Sequence, residues 1–227
     1  MKKKRDERVA VVIPAYNEED TVASVVSEVK EYGIVAVVDD GSTDDTVEHA
    51  KAAGAFVVKQ PVNMGVGFTT KTGIEYAIKK FRPEVIVTID ADCQHQPELI
   101  PLLVEKIEEG FDVVFTNRMS LNKDMPYVKK LGNTLLSRLI NLVAAASVSD
   151  TQSGFRAFRA EIYPKLRLYC DDYSFVGEFV YEVSHKKLRY TQVDIPAVYD
   201  SRSRVKGTNI VSGIKIFVRT LFFAFKR

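Results

Sequence analysis

Cysteine is almost absent from this 227-residue chain, and the two that occur, Cys93 and Cys170, stand far apart with no Cys-x-x-Cys spacing. That pattern excludes a disulfide framework and a cysteine-built zinc site, and makes a reducing cytoplasm the expected compartment. Long apolar runs are missing too: none approaches the 18 or so residues of a spanning helix. Lys2, Lys3, Lys4 and Arg5 precede an apolar run too short for a signal peptide core, so the chain is expected not to be integral to a membrane. Basic strands interleaved with aromatics, as RNA-binding sheets use, are also lacking, which makes nucleic acid the weakest candidate partner. What is present, 46% hydrophobic and 27% charged residues, suffices for the core of one α/β domain.

The net charge of +2 conceals an asymmetry. From Ser201 onward there are seven basic residues and no acidic ones, so the first 200 residues carry −5. A basic, apolar tail narrows its partners to anionic lipid, substrate phosphate or, least, nucleic acid.

Apolar runs and helical patterns alternate. Strands are expected over Val9 to Pro14, Ile34 to Val38, Ala55 to Val58, Val85 to Ile89 and Asp112 to Thr116. Helices are expected over Thr21 to Tyr32, Thr43 to Ala53 with its N-cap at Ser42 or Thr43, Gly67 to Lys80, and Pro97 to Glu109. The second half is less regular, with strands expected over Asp150 to Arg159, Leu188 to Val193 and Pro196 to Val198, and a helix over Ser174 to Lys186. Alternation of this kind implies an α/β fold with a mostly parallel sheet flanked by helices, later strands extending the same sheet, and ligands at the carboxyl ends of its strands.

The polar clusters fall at those ends. Asp90 and Asp92, spaced i, i+2 after an apolar strand, share one side of it and suit a hard cation such as Mg2+ or Mn2+. Asp39 and Asp40 at the next strand end suit ribose hydroxyls or a base, whereas Asp44 and Asp45 read as helix caps. Asn63-Met-Gly-Val-Gly67 gives two glycines before a helix, room for a phosphate or base to approach the backbone.

In order, Pro14-Ala-Tyr-Asn-Glu18, Val38-Asp-Asp-Gly-Ser-Thr-Asp44, Asn63-x-Gly-x-Gly67, Asp90-Ala-Asp-x-Gln-His95 and Asp150-Thr-Gln-Ser-Gly-Phe-Arg156 resemble the motifs of inverting family 2 glycosyltransferases of the GT-A (Rossmann-like) fold. Within that family the likeness is to dolichyl-phosphate mannose synthases and polyprenyl-phosphate glycosyltransferases. The resemblance implies that Pro14, Tyr16, Glu18, one of Asp39 or Asp40, Gly65 and Ala91 hold the nucleotide sugar, and that Asp90, Asp92 and Gln94 hold the metal. It implies phosphate contacts for Arg118 and Arg156, and a closing basic loop of Arg202, Arg204 and Lys206. The residues after Gly65 depart from the family's usual basic and small pattern, and the chain stops where many relatives continue into transmembrane helices.

One catalytic domain over residues 1–208 is expected, its first 118 residues the nucleotide-sugar half and 119–208 the acceptor half, followed by an amphipathic basic helix over 209–227. The expected reaction moves a hexose from a GDP- or UDP-sugar to a polyprenyl phosphate. That acceptor is already an anion at pH 7 and needs gathering positive charge more than a base. An alcohol acceptor would need one, and Glu178 and His95 are the nearest candidates, His95 being equally readable as a second hydrogen bonder or a helix cap. A soluble sugar or protein hydroxyl acceptor, or a silent nucleotide-sugar-binding scaffold, are the alternatives. Leu131, Leu135, Leu139 and Leu142, with Leu136, Ile140 and Val143, form an apolar helical face that suits either core or lipid. The tail's apolar arc suits a peripheral seat on the cytoplasmic face of a membrane, or a small membrane-protein subunit as its cover.

Overall fold

The computed structural model describes residues 6–121 and 127–196, the first three of the second stretch by backbone alone. The expected helix over 209–227, the loop of Arg202, Arg204 and Lys206, and all but the first residue of the strand expected over Pro196 to Val198 lie outside the described residues.

Seven strands form one sheet: β1 (Val9–Ala15), β2 (Ile34–Asp39), β3 (Phe56–Lys59), β4 (Val85–Thr88), β5 (Val113–Asn117), β6 (Arg156–Arg159) and β7 (Tyr190–Asp194). Their order across the sheet is β3-β2-β1-β4-β6-β5-β7. Every pairing is parallel except those of β6, which runs antiparallel to both β4 and β5. The second half therefore does more than extend the sheet: β7 adds to its edge, while β6 is driven between two strands of the first half.

Interior strands are buried on both faces, which is why β1, β2, β4 and β5 read as unbroken apolar runs. Side chains still alternate. Val9, Val11, Ile13, Val85 and Val87 pack with α1 (Val22–Val29) and α4 (Ile100–Glu108), while Ala10, Val12, Ile86, Val113 and Phe115 pack with α3 (Val66–Phe81), α5 (Tyr127–Ala144) and α6 (Ser174–His185). The short helix α2 (Thr46–Ala52) joins the first face through Ala50. A single turn of 3-10 helix at Pro97–Leu99 opens α4.

Two expected elements begin three or more residues late, for the same reason. The helix expected from Thr43 begins at Thr46 because Asp39 accepts from the Ser42 N–H and Asn17 from the Thr43 N–H, while the Ser42 hydroxyl accepts from the Asn17 N–H. Asp44 does bond the first helical N–H, that of Thr46, and Asp45 stands at the N-cap position without a side-chain cap. The strand expected from Asp150 begins only at Arg156, since side-chain bonds to Ser137, Thr116 and Thr88 hold residues 151 to 155 out of the ladder.

The leucines of α5 divide between two faces. Leu136, Ile140 and Ala144 enter the core, whereas Leu131, Leu135 and Leu142 are 57%, 57% and 80% exposed.

Candidate active site

The carboxyl ends of β1, β2, β4 and β5 converge on one edge of the sheet, and the antiparallel β6 brings its amino end to the same edge. On the β1–β2 side two loops are stitched together: Asn17 and Glu18 donate backbone N–H groups to Ser42 and Thr46, and Asn17 accepts from Thr43. Pro14 is half-buried, Tyr16 is exposed, and the Glu18 carboxylate accepts from the Thr21 hydroxyl.

The paired acids of that loop have different work. Asp40 turns both oxygens inward, accepting from the Met64 and Gly65 N–H groups at 2.7 and 3.0 Å. It fixes the glycine turn. Asp39, also buried, accepts only from Ser42 among the described bonds. Gly65, expected beside the nucleotide, instead makes room for the chain itself. Its φ is +95°, and a Cβ there would meet the Asp171 carbonyl oxygen at 2.5 Å. That same carbonyl accepts from Phe68 N–H at the start of α3, and Gly67 abuts the Cys170 and Asp172 carbonyls. The helix N-terminus expected to meet phosphate is therefore covered by residues 170–172.

β4 ends at Thr88, so Asp90 and Asp92 stand beyond the strand, on the bend that follows it, with Ala91 buried between them. His95 lies with Nε2 at 3.2 Å from an Asp90 oxygen, and Gln94 donates to Asp92 from its backbone at 3.1 Å and its amide at 2.6 Å. Burial alone would raise Asp90, but the hydrogen bond and charge of His95, then the charges of Arg118 and Arg156, hold it below the usual carboxylate range. Asp92 goes the other way. Burial first and the Asp90 charge second push it up to about 6, with a further rise from Glu18, against the pull of His95 and the Gln94 N–H. The two neighbouring acids thus shift in opposite directions, Asp90 kept charged by the cations around it and Asp92 raised chiefly by burial.

Among the described residues no three acidic, histidine or cysteine side chains gather as a complete metal cage. Two carboxylates and an amide still fit Mg2+ or Mn2+, which take one or two carboxylates and complete their shell with water and substrate phosphate. Asp90, Asp92 and Gln94 are the residues that would hold it.

Facing these acids are two buried arginines. Arg118, just beyond β5, forms a two-pronged ion pair with Asp150, Nε at 2.6 Å and one terminal nitrogen at 3.1 Å. Burial opposes the charge on Asp150, but Arg118 outweighs it and keeps the carboxyl below its ordinary range. Arg156, at the start of β6, is 2% exposed; one terminal nitrogen donates to the Ser153 carbonyl, and its guanidinium lies 5.0 Å from the Phe179 ring centroid. Its Nε and other terminal nitrogen have no partner among the described residues. Burial brings it down to about 10, with Asp90 and Asp150 resisting. Arg156 therefore lies beneath the edge of the site, deeper than a rim contact.

Neither base expected for an alcohol acceptor is placed for that work. Both oxygens of Glu178 accept from the Tyr169 N–H and one also from that of Cys170, at 2.9 Å each. His95 is buried against Asp90 and Phe155. His49 meets the Glu19 carbonyl, and His185 stacks on Tyr181. Tyr173 was not anticipated from the sequence. It leaves 52% of its surface open, and its hydroxyl is held above its usual range by burial and then by the charges of Asp90, Asp92 and Glu18, within whose electrostatic reach it lies. No spacing in the sequence marks it; only the packing of residues 170–173 across α3 brings it there.

A sheet of this order, with acids at the carboxyl ends and one inserted antiparallel strand, defines the GT-A class of nucleotide-sugar transferases. A solved structure of glucosyl-3-phosphoglycerate synthase from Mycobacterium tuberculosis, in complex with Mn2+, uridine diphosphate and phosphoglyceric acid, shares the fold with a TM-score of 0.72 at 22% identity, over 95% of this chain and 78% of that one. Residues 10–167 match the model of glycosyl transferase family 2, and the chain belongs to that family and is a glycosyltransferase. An uncharacterised protein of Methanocaldococcus jannaschii is 35% identical over 95% of this chain and 91% of its own length. A UDP-N-acetylglucosamine–dolichyl-phosphate N-acetylglucosaminyltransferase of Methanococcus voltae is 32% identical over 95% of this chain and 96% of its own.

Proposed function

We propose that this enzyme transfers a hexose, with inversion, from a GDP- or UDP-sugar to a polyprenyl phosphate of the dolichyl type, at a membrane surface. The observation that carries the reading is the meeting of two opposite charge sets at one sheet edge: the carboxylates Asp90 and Asp92, and the buried Arg118 and Arg156, whose charges help to hold Asp90 below its usual range. A reaction between two phosphate-bearing molecules needs both sets, and the similarity to a dolichyl-phosphate transferase supports the acceptor class.

Pro14, Tyr16, Glu18 and Asp39 would hold the nucleoside, with Asp40 shaping the turn beside them. A bound divalent cation would stabilise charge on the departing diphosphate. Asp90, Asp92 and Gln94 would orient it, and Arg118 and Arg156 would supply positive potential where the acceptor phosphate arrives. Arg202, Arg204 and Lys206 would add to that potential as a basic loop over the phosphates. A phosphate monoester with second pKa near 6 attacks as an anion, which suits a site where Glu178 and His95 are both engaged. The exposed leucines of α5 and the basic tail would seat the enzyme on anionic lipid, directly or beside a small membrane-protein subunit. Among the described residues no helix is long and apolar enough to cross a membrane.

The test is transfer from a panel of UDP- and GDP-sugars to a short-chain polyprenyl phosphate with Mn2+, and with chelator. Lipid-linked phosphosugar that disappears with chelator is the expected result; transfer to a soluble sugar hydroxyl instead would overturn the acceptor. In parallel, Asp92→Asn should remove the Mn2+-dependent part of the nucleotide-induced rise in Tm.

A further inference from the structure

His95 has no role in the transfer just described, yet it is among the most enclosed polar side chains at the site, 1% exposed, with its ring 5.3 Å from that of Phe155. Its Nε2 faces Asp90, and its Nδ1 is buried with no partner among the described residues. In a charged ring Nε2 donates to Asp90 in any case, and in a neutral ring those two facts select a tautomer. With the proton on Nδ1, a buried donor would be stranded and a nitrogen lone pair would point at a carboxylate oxygen. With the proton on Nε2, Asp90 accepts a hydrogen bond and only an acceptor is left unsatisfied, the cheaper deficit.

The other flank of Asp90 is backbone. A Cβ on Gly154 would fall far inside contact distance of both Asp90 oxygens, and the Gly154 carbonyl is itself tied down by the Thr88 hydroxyl at 2.6 Å. The carboxylate is thus gripped between an imidazole N–H and a bare α-carbon, while 37% of its side chain stays open. Asp92, by contrast, is met by Gln94, its near neighbour in sequence.

We propose that His95 is a positioning residue: by donating from Nε2 it locks the rotamer of Asp90 against Gly154, so that the open part of that carboxylate faces the divalent cation. This rests on the reading of Asp90 and Asp92 as cation ligands. His95 touches neither substrate nor cation; it acts through Asp90, and second-sphere partners of this kind commonly set metal affinity by 10- to 100-fold.

The experiment compares wild type with His95→Phe, which keeps a ring against Phe155 and loses the donor, and His95→Gln, which offers an N–H at similar reach. Free Mn2+ is followed by electron paramagnetic resonance during titration with UDP or GDP present, and Tm is measured on the same samples. The expected result is about a tenfold or greater weakening of Mn2+ binding in His95→Phe, with most of it restored in His95→Gln. Should His95→Phe not fold, His95→Asn, whose amide is too short to reach Asp90, reads the same loss. Wild-type Mn2+ affinity in His95→Phe, or equal damage in His95→Gln, overturns the proposal. If Asp92→Asn binds Mn2+ and nucleotide as wild type does, the cation site itself is misassigned and this inference falls with it.

Discussion

Asp150 and Arg118 leave water together, and each makes the other's burial tolerable. Removing one partner strands a buried charge at a cost of about 3–5 kcal/mol, so Asp150→Asn should lower stability strongly at neutral pH, read by urea unfolding. The sign with pH follows from the lowered carboxyl. Its contribution is full above the unfolded value near 4 and is lost as pH falls through the lower folded one. The stability gap between wild type and Asp150→Asn should therefore narrow in acid and stay constant from pH 6 to 8. The acids of this site also show what the sequence displays and what it hides. Asp90 and Asp92 were legible because two acids two residues apart follow directly on an apolar strand, although β4 ends at Thr88 and a bend, not the strand's period, brings them together. The division of labour between Asp39 and Asp40 was not, because it depends on Met64 and Gly65 folding back over Asp40, a contact between residues 24 and 25 positions apart.

Helix α6 carries two buried acids, Glu178 and Glu182, one turn apart, and both accept backbone N–H groups from the segment before the helix: Tyr169 and Cys170 for the first, Arg167 for the second. They hold that segment across α3, where Lys71 also grips it through Asp171 at 2.8 Å and the Leu168 carbonyl. Glu178→Gln keeps one acceptor oxygen, so it should cost about 1–2 kcal/mol of stability and leave kcat within a few-fold; a loss of two orders of magnitude in kcat with unchanged Tm would mean that Glu178 is a base after all. Helix α5 separates its functions by face. Leu136→Ala should cost about 2–5 kcal/mol through the cavity it leaves. Leu142→Glu should leave Tm unchanged and reduce sedimentation with anionic vesicles. The helical period showed both faces in the sequence, but only packing against α6 decides which one meets the core. The late starts, Thr46 for Thr43 and Arg156 for Asp150, were illegible because side chains distant in sequence claim the backbone groups before them.

At the scale of the whole chain, charge is polarised: −5 over the first 200 residues and seven cations beyond them. Attraction of such a tail to anionic lipid is screened over a Debye length of about 8 Å at physiological salt. Vesicle binding should therefore weaken several-fold between 50 and 500 mM NaCl, while the apolar share contributed by α5 persists; binding indifferent to salt would rule out the electrostatic seat. The parallel part of the sheet was legible because strand and helix alternate with regular spacing over the first 117 residues. The insertion of β6 was not, since nothing in a four-residue strand says which two neighbours it will enter.

That insertion has a consequence for how the enzyme is made. β5 is flanked only by β6 and β7, and β4 has β1 on one side and β6 on the other. A nascent chain that has emerged only as far as Arg118 holds one strand with no companion and another with a raw margin. The glycine that clasps Asp90 has not yet been synthesised. A product of translation that ends before residue 154 thus carries the nucleoside and cation residues without the clasp on Asp90, without Arg156, and without the strand that joins β4 to β5.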